Sequence, residues 1–549
     1  MLISPNNAEA ARAGTFKKLI SGTAVLAIAT ILVKIIGLVY KIPLVKYVGV
    51  EGMAYFLAAN HIYVLLFVIS TSGLPVAVAV MISDAVAQNN YVAVRRIYRS
   101  SLGLFCGIGL VGTCIMLLGS QKISGFIGIA GAANCIAAIA PAVLMACISG
   151  AIRGFFQGHQ IMRHTAISQV IEAVGKLILG LAGAMLALKL GMPDYQVAAY
   201  AIFGITVGVA LAMVYLVIAK AVFDRKRYSK IKMTYGHGKN KSVVFDLLRL
   251  ALPVTLSSTI LSLGGVIDTV LIPNCLSKMG YAADEVNWLY SCYGNMAVPI
   301  FNLVPSLIAP IATSLVPIVS AAHSTFDTEK ESATVSQAIN LTMMVAVPAS
   351  FGIAFLSEPS VNLIFSSDGD AVFTASSLLA LLSASILPAC LITVTNAVLQ
   401  AKKQAGKTIL SMICGVVIKL ICEYALLNSP GIGMRGAPIS TFACNITVVS
   451  INIYYIFKYF HVPRGLFKST VKVLISSCIA IGVVGAVYKL NRLSEEGNVA
   501  VLFIIAVALL LYFVLLLMLG AINDILPEAK KLLKREKINE QRRENSLFT

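Results

Sequence analysis

About 14 stretches of this chain are mostly apolar over about 20 residues, the length of one helical crossing of a bilayer. They begin near Ile20, Met53, Ser101, Phe126, Ala166, Val197, Leu247, Trp288, Ala338, Ala371, Thr408, Pro438, Thr470 and Val499, with mostly short polar connections. Hydrocarbon offers no water to pair a backbone amide, so each run must close its own hydrogen bonds as a helix. The expected fold is an all-α polytopic membrane protein with about 14 transmembrane helices. Composition agrees: 58% of the 549 residues are hydrophobic and 12% are charged. The first run follows Lys17 and Lys18 and shows no small-residue cleavage site ahead of Lys34, so it reads as a span rather than a removable signal peptide.

The formal net charge is +19, which raises the question of nucleic acid. Its distribution answers no. With the N-terminus inside, roughly 32 of the 43 Lys and Arg fall in the tails or even-numbered connections, about 8 outside and about 3 within spans. That bias places both termini in the cytoplasm. The richest connection holds Arg225, Lys226, Arg227, Lys230, Lys232, Lys239 and Lys241, and the tail holds Lys530, Lys531, Lys534, Arg535, Arg542 and Arg543, where anionic lipid headgroups are within reach. The 11 cysteines are scattered without CxxC or CxxH spacing, which offers no metal site and reads as small packing residues. The single tryptophan, Trp288, falls where an amphipathic ring anchors a helix at the outer interface.

Two segments align without a gap: RGFFQGHQIMRHTAISQVIEAVGKLI from Arg153, and LQAKKQAGKTILSMICGVVIKLI from Leu399. Gln157 matches Gln400, Thr165 matches Thr408, Ser168 matches Ser411 and Lys176 matches Lys419. A fainter echo links LPVAVAVMISDAV with APIATSLVPIVSAA. Six spans thus repeat as another six in the same orientation, related by an axis along the membrane normal. The expected organisation is an N-terminal lobe with its cytoplasmic connection over 1–232, a C-terminal lobe over 233–462, two extra spans over 463–522 and a basic tail over 523–549. Two parallel lobes are the plan of a transporter, although channels and membrane enzymes also arise by duplication.

Charge inside a span is expensive and faces a partner or water. In the first run Lys34 and Lys41 are seven residues apart, on nearly one helical face, and Pro43 allows a kink before Lys46. One reading is a cationic stripe facing an anionic substrate; the other has Lys41 and Lys46 snorkelling to the outer headgroups. Lys34, the deeper residue, favours the stripe and Lys46 favours snorkelling. Asp268, within the seventh run, reads either as a site for a coupling cation, proton or helix 1 lysine, or as a structural hydrogen-bonding group. Asn60 and His61 in the second run are further substrate-binding candidates. Glu172 with Lys176, and Lys419 with Glu423, are opposite charges one turn apart and read as self-neutralising pairs that join helices or line a polar interior. Arg153, Gln157, His159, Gln160 and Arg163 read as the cytoplasmic elbow between the fourth and fifth spans, where a gate between lobes would also act. Pro299, Pro305, Pro310 and Pro317 in the eighth run, and Gly73 with Pro75 in the second, are expected bending points.

The sequence has no GxxxxGK[ST] phosphate loop, HExxH or GxSxG, so the expectation is a non-enzyme without cofactors. Any pumping then draws on an ion gradient, the membrane potential or consumption of product.

At RGFFQGHQIMRHTAISQVIE, with KIIGLVYKIP, TSGLPVAVAV and VIDT, the chain resembles the MurJ-type lipid II flippases and the stage V sporulation protein B group of Gram-positive bacteria. These belong to the exporter superfamily that includes multidrug and polysaccharide flippases. The resemblance spans essentially the whole chain and implies two six-helix lobes around a cationic cavity, with the last two helices flanking a groove for a polyprenyl tail. It places Lys34 where the family carries a basic residue on the first helix and Asp268 where this subgroup carries an aspartate on the seventh. The eighth run departs from the family, offering Tyr293, Gly294 and Asn295 where members often carry a basic residue. The implied function is translocation of undecaprenyl-pyrophosphate-linked peptidoglycan precursor across the bacterial cytoplasmic membrane by alternating access. Asn295 then joins the substrate-binding candidates. A capsule or teichoic precursor is an alternative cargo. A multidrug antiporter fits less well, because cationic drugs call for carboxylates rather than lysines. A scaffold for cell-wall synthesis proteins would use the basic segments.

Overall fold

The computed structural model describes residues 25, 28–37, 39–227, 240–324, 328–365, 369–402, 404–459, 465–490 and 498–520, and among these no strand occurs. The basic tail and most of the basic connection before Asn240 lie outside the described residues. Among the described residues, eleven helices have the length and apolarity to cross a bilayer, or 12 if a bent pair counts as one. The last two expected runs are helices too, Gly465–Leu490 of 26 residues and Asn498–Met518 of 21.

By mutual contact the chain divides into two units: Met1–Asn295 with Leu420–Ala437, and Met296–Lys419 with Pro438–Thr549. These contact units differ from the expected lobes 1–232 and 233–462, because the first two helices after the connection pack with the first unit.

In the first unit α1 is Ile28–Val48. It is followed by α2 (Gly52–Thr71), α3 (Leu74–Ala87), α4 (Tyr91–Ile127), α5 (Ala132–Gly158), α6 (Met162–Lys189), α7 (Asp194–Arg227), α8 (Asn240–Lys278) and α9 (Ala283–Ser291). The α2–α3 break falls at Ser72 and Gly73. A Cβ on Gly73 would collide with the Ala251 carbonyl and Thr255 hydroxyl of α8, so the glycine sets how closely α8 approaches. The α6–α7 crossing is equally tight: a Cβ on Gly208 would sit 2.7 Å from Glu172 O. At the end of α4, Asn274 Nδ2 donates to Phe126 O and Ile127 O, each at 3.0 Å, which satisfies two carbonyls left over by the helix terminus.

A π-helical turn, Cys292–Ala297, leads from α9 into α10 (Val298–Ser324). A proline ring clashes with the carbonyl four residues earlier in a regular α-helix, and Pro299 follows this widened turn directly. The expected breaks of the eighth run therefore concentrate before Pro299, while α10 continues through Pro305, Pro310 and Pro317.

The second unit continues with α11 (Thr328–Phe355), α12 (Ser357–Phe365), α13 (Gly369–Ser383), α14 (Ile386–Ala401), α15 (Ala405–Leu427), α16 (Gly436–Tyr459), α17 (Gly465–Leu490) and α18 (Asn498–Met518), although the first part of α16 and the last part of α15 count with the first unit. Helices α13 and α14 form the bent pair, at 48°. Pro348 inside α11 removes the donor that Met344 O would have received, and Tyr512 Oη from α18 donates to that oxygen instead, at 2.8 Å. The hydroxyl sits in an apolar cluster of Met343, Val347, Val473, Ala480 and Leu516.

Tyr512→Phe should therefore lower stability by about 1–3 kcal/mol, the cost of leaving a buried carbonyl unpaired. Adding Pro348→Ala returns a backbone donor to the helix and should recover most of the loss. Thermal unfolding in detergent checks both; equal losses in the single and double variants would contradict this account.

Candidate functional site

The polar interior of the first unit is built by α1, α2, α5, α6 and α7. Glycine contacts between α6 and α7 bring the two backbones together. The side chains of Glu172 and Lys176 on α6 line a cavity of about 470 Å³ together with Tyr40, Asn60, Tyr63 and Arg153. Arg153 is the organising group. Its Nη2 donates to Glu172 Oε2 at 2.9 Å and its Nε to Ser168 Oγ at 2.9 Å. Ser168 Oγ in turn donates to Thr165 O at 2.7 Å, so the guanidinium is held to α6 through two side chains. The Arg153 and Glu172 side chains are 13% and 28% exposed, which puts this ion pair in the regime where losing one partner is costly.

This corrects two expectations. Glu172 pairs with Arg153 rather than with Lys176, whose ammonium lies over the Tyr40 ring, 5.0 Å from its centroid. Tyr40 is fixed in turn by donation of its hydroxyl to Ala201 O at 3.2 Å. Arg153 is also no part of a surface elbow, because it lies within α5 one turn before Gln157 and turns inward. The turn itself carries Gln160, exposed with φ +59, followed by exposed Arg163 at the start of α6. Gln157 is half-buried at the end of α5, and His159 Nδ1 lies 2.9 Å from Phe155 O.

A second polar chain joins α2, α8 and α9. His61 Nδ1 lies 2.7 Å from Thr269 Oγ1, and Tyr290 Oη lies 2.8 Å from the same oxygen. Thr269 spends its one proton on Gly265 O at 2.7 Å, so it accepts from His61 and from Tyr290. Half-buried Asp268 immediately precedes Thr269, so two sequence candidates, His61 and Asp268, belong to one locality. Asn295 does not join them. It is fully buried, and its amide nitrogen donates to Met53 O at 2.9 Å and Ser291 Oγ at 3.3 Å, which ties the π-helical turn to α2 and uses both of its donors within the protein.

Lys34 stands apart on α1. Val33, Ile36, Gly37 and Tyr40 line the cavity, and a helical projection puts Lys34 and Lys41 together about a quarter-turn from that face. Lys34 is exposed and makes no ion pair or hydrogen bond among the described residues, whereas Lys41 is half-buried and within electrostatic reach of Lys176. The second unit contains an apolar recess of about 850 Å³ between α10, α11, α17 and α18, lined by residues such as Leu307, Pro348, Ile481, Leu509 and Phe513.

The repeat has diverged at its charged positions. Arg153, four residues before Gln157, has its counterpart in Asn396, four before Gln400; the same register matches Glu172 with Gly415. In the second unit a neutral network replaces the ion pair: Ser411 Oγ donates to Asn452 Oδ1 at 2.7 Å, and Asn452 Nδ2 donates to Asn396 Oδ1 at 2.8 Å. Gly415 packs on Val448 and Cys444 of α16 so closely that a Cβ would collide, which leaves no room for a carboxylate. Lys419 is buried and donates to Thr441 Oγ1 at 2.8 Å; Glu423, one turn on, is also buried. Sequence reading found the aligned lysines but missed Tyr40, Tyr63, Thr269 and Tyr290, because aromatic and hydroxyl residues in apolar runs carry no spacing signal.

These features define a multi-pass helical membrane protein whose first half keeps a charged interior. Residues 19–323, more than half of the chain, match the family described as polysaccharide biosynthesis protein, and the chain belongs to that family. Lipid II flippase MurJ of Bacillus subtilis (strain 168) is 27% identical over 428 residues, covering 75% of this chain and 78% of the relative. Stage V sporulation protein B of the same organism is 24% identical over 424 residues, covering 77% and 80%. The fold is similar to the solved inward closed conformation of lipid II flippase MurJ, with a TM-score of 0.69 at 17% identity over 90% of this chain and 98% of that one.

Arg153→Met should destabilise the protein by about 3–5 kcal/mol by stranding Glu172, whereas Arg153→Met with Glu172→Gln should lose much less. Unfolding midpoints of the wild type, both single variants and the double variant measure the coupling; additive losses would show that the pair is not an energetic unit.

Proposed function

We propose that this chain is a flippase that carries a lipid-linked peptidoglycan precursor, lipid II, across the bacterial cytoplasmic membrane by alternating access. The observation that carries this reading is Lys34, an exposed ammonium that makes no ion pair or hydrogen bond among the described residues, on a helix of membrane-crossing length. A lone ammonium in a span calls for water and an anion, and a pyrophosphate supplies two charges that lysine binds as a point cation. Lys41, on nearly the same face, extends the cationic stripe. The apolar recess of the second unit suits a polyprenyl tail. The names of the two relatives support the same cargo class.

In this reading the repeat-defined lobes 1–232 and 233–462 move against one another, 463–522 serves the lipid tail, and both termini lie in the cytoplasm. The helices carry no catalytic role, and the driving force is an ion gradient or the membrane potential acting on charges such as Asp268. The Gln157–Arg163 turn acts as a cytoplasmic gate. Cell-wall synthesis proteins are the partners on either side of the step.

A second cargo, another lipid-linked oligosaccharide, is favoured by one observation. Asn295, where the resemblance leads one to expect a basic residue nearby, is buried and already hydrogen-bonded, so the headgroup meets fewer cations.

Translocation of fluorescent lipid II in proteoliposomes tests the reading. The wild type should flip it, and Lys34→Ala with Lys41→Ala should reduce the rate at least about tenfold, equivalent to about 1.4 kcal/mol of lost stabilisation. Flipping of a teichoic or capsule precursor but not lipid II would move the assignment to the second cargo. Unchanged lipid II flipping in the double variant would remove the lysines from the site.

A further inference from the structure

The first-unit cavity has an excess of positive charge, and Gln169, whose buried Oε1 has no hydrogen-bond partner among the described residues, is a neutral member of its lining. Among its lining side chains the ionisable groups of full charge are Arg153, Lys176 and Glu172, a formal sum of +1. Glu172 is committed to Arg153. The Lys176 ammonium has the Tyr40 ring beneath it but no ion pair and no hydrogen bond among the described residues. The Asn60 amide and the Tyr63 hydroxyl line the same cavity, and neither donates to a described protein group. Water can satisfy the donors, but it cannot neutralise the charge.

The second repeat shows what the protein does when it has no such cavity. There the matching lysine, Lys419, is buried against Thr441 Oγ1, Asn396 replaces the arginine, and Gly415 closes the space where the carboxylate would stand. The first repeat instead keeps an open volume of about 470 Å³ in front of its lysine.

We infer that this cavity is a binding site for one small monovalent inorganic anion, held by Lys176 with Asn60 and Tyr63 as neutral donors and confined by the Arg153–Glu172 pair. One such ion cancels the formal charge of the lining, and the cavity admits it with part of its water shell. Tyr40 holds the lysine head toward the space rather than letting it snorkel to the interface. The site lies on a different face of α1 from Lys34, and it does not depend on which lipid-linked cargo is carried.

The experiment compares unfolding midpoints of the full-length protein in sodium bromide and sodium gluconate at equal ionic strength. A ligand that binds only the folded state raises the midpoint. Bromide should raise it by a few degrees in the wild type, in Lys34→Ala and in Lys176→Arg, and the increment should vanish in Lys176→Met. No bromide increment in the wild type, or the same increment in Lys176→Met, would overturn the proposal, the latter by assigning the effect to surface ions. Should Lys176→Met fail to fold, anomalous diffraction from wild-type crystals grown in bromide decides: a peak beside the Lys176 ammonium supports the site, and a cavity without a peak refutes it. Lipid translocation enters none of these readouts, so failure of the cargo assignment leaves the result standing.

Discussion

A charge placed in hydrocarbon must find a partner, and the Arg153–Glu172 pair is where the first unit meets that requirement. The pair fixes α5 to α6, and the glycine crossing of α6 with α7 sets the wall against which it forms. The space enclosed between these helices and α1 and α2 then becomes polar rather than packed. Everything distinctive about the first unit follows from that: the cavity, the lysine facing it, and the separation of those charges from Lys34 on another side of α1.

The two repeats show how a duplicated plan can be made unequal by few changes. Serine and lysine positions persist as Ser168 with Ser411 and Lys176 with Lys419. Arginine gives way to Asn396 and glutamate to Gly415, and a buried amide network takes over the task of joining helices. Neutral groups need only hydrogen bonds, so the second unit closes tightly there and instead opens an apolar recess beside α17 and α18.

The helical, multi-pass fold was legible in the sequence because apolar run length and backbone pairing in a bilayer leave few choices. The shape of the crossings was less so, since the run beginning near Ala371 is broken into two helices that meet at 48°, a bend that composition does not encode. Positions on one helix were readable: Lys34 and Lys41 share a side of α1 as their spacing requires. Partnerships between helices were not. Glu172 and Lys176 looked like a pair because they are neighbours on α6, yet Arg153 on α5 has the longer reach, and its guanidinium meets carboxylate and serine together. Asn295 looked available because the resemblance places it in the run where members often carry a basic residue, but the π-helical turn before Pro299 turns it onto Met53 O.

The central claim is that Lys34 faces water and substrate, whereas Lys176 belongs to the interior of its own unit. The direct measurement is modification of Lys34→Cys by a membrane-impermeant charged thiol reagent, in a functional chain whose 11 native cysteines have been replaced. The account predicts rapid modification that is slowed when the lipid-linked pyrophosphate is present. A Lys34→Cys thiol that stays unreactive in the folded protein, yet reacts after unfolding, would place Lys34 against lipid and contradict the account.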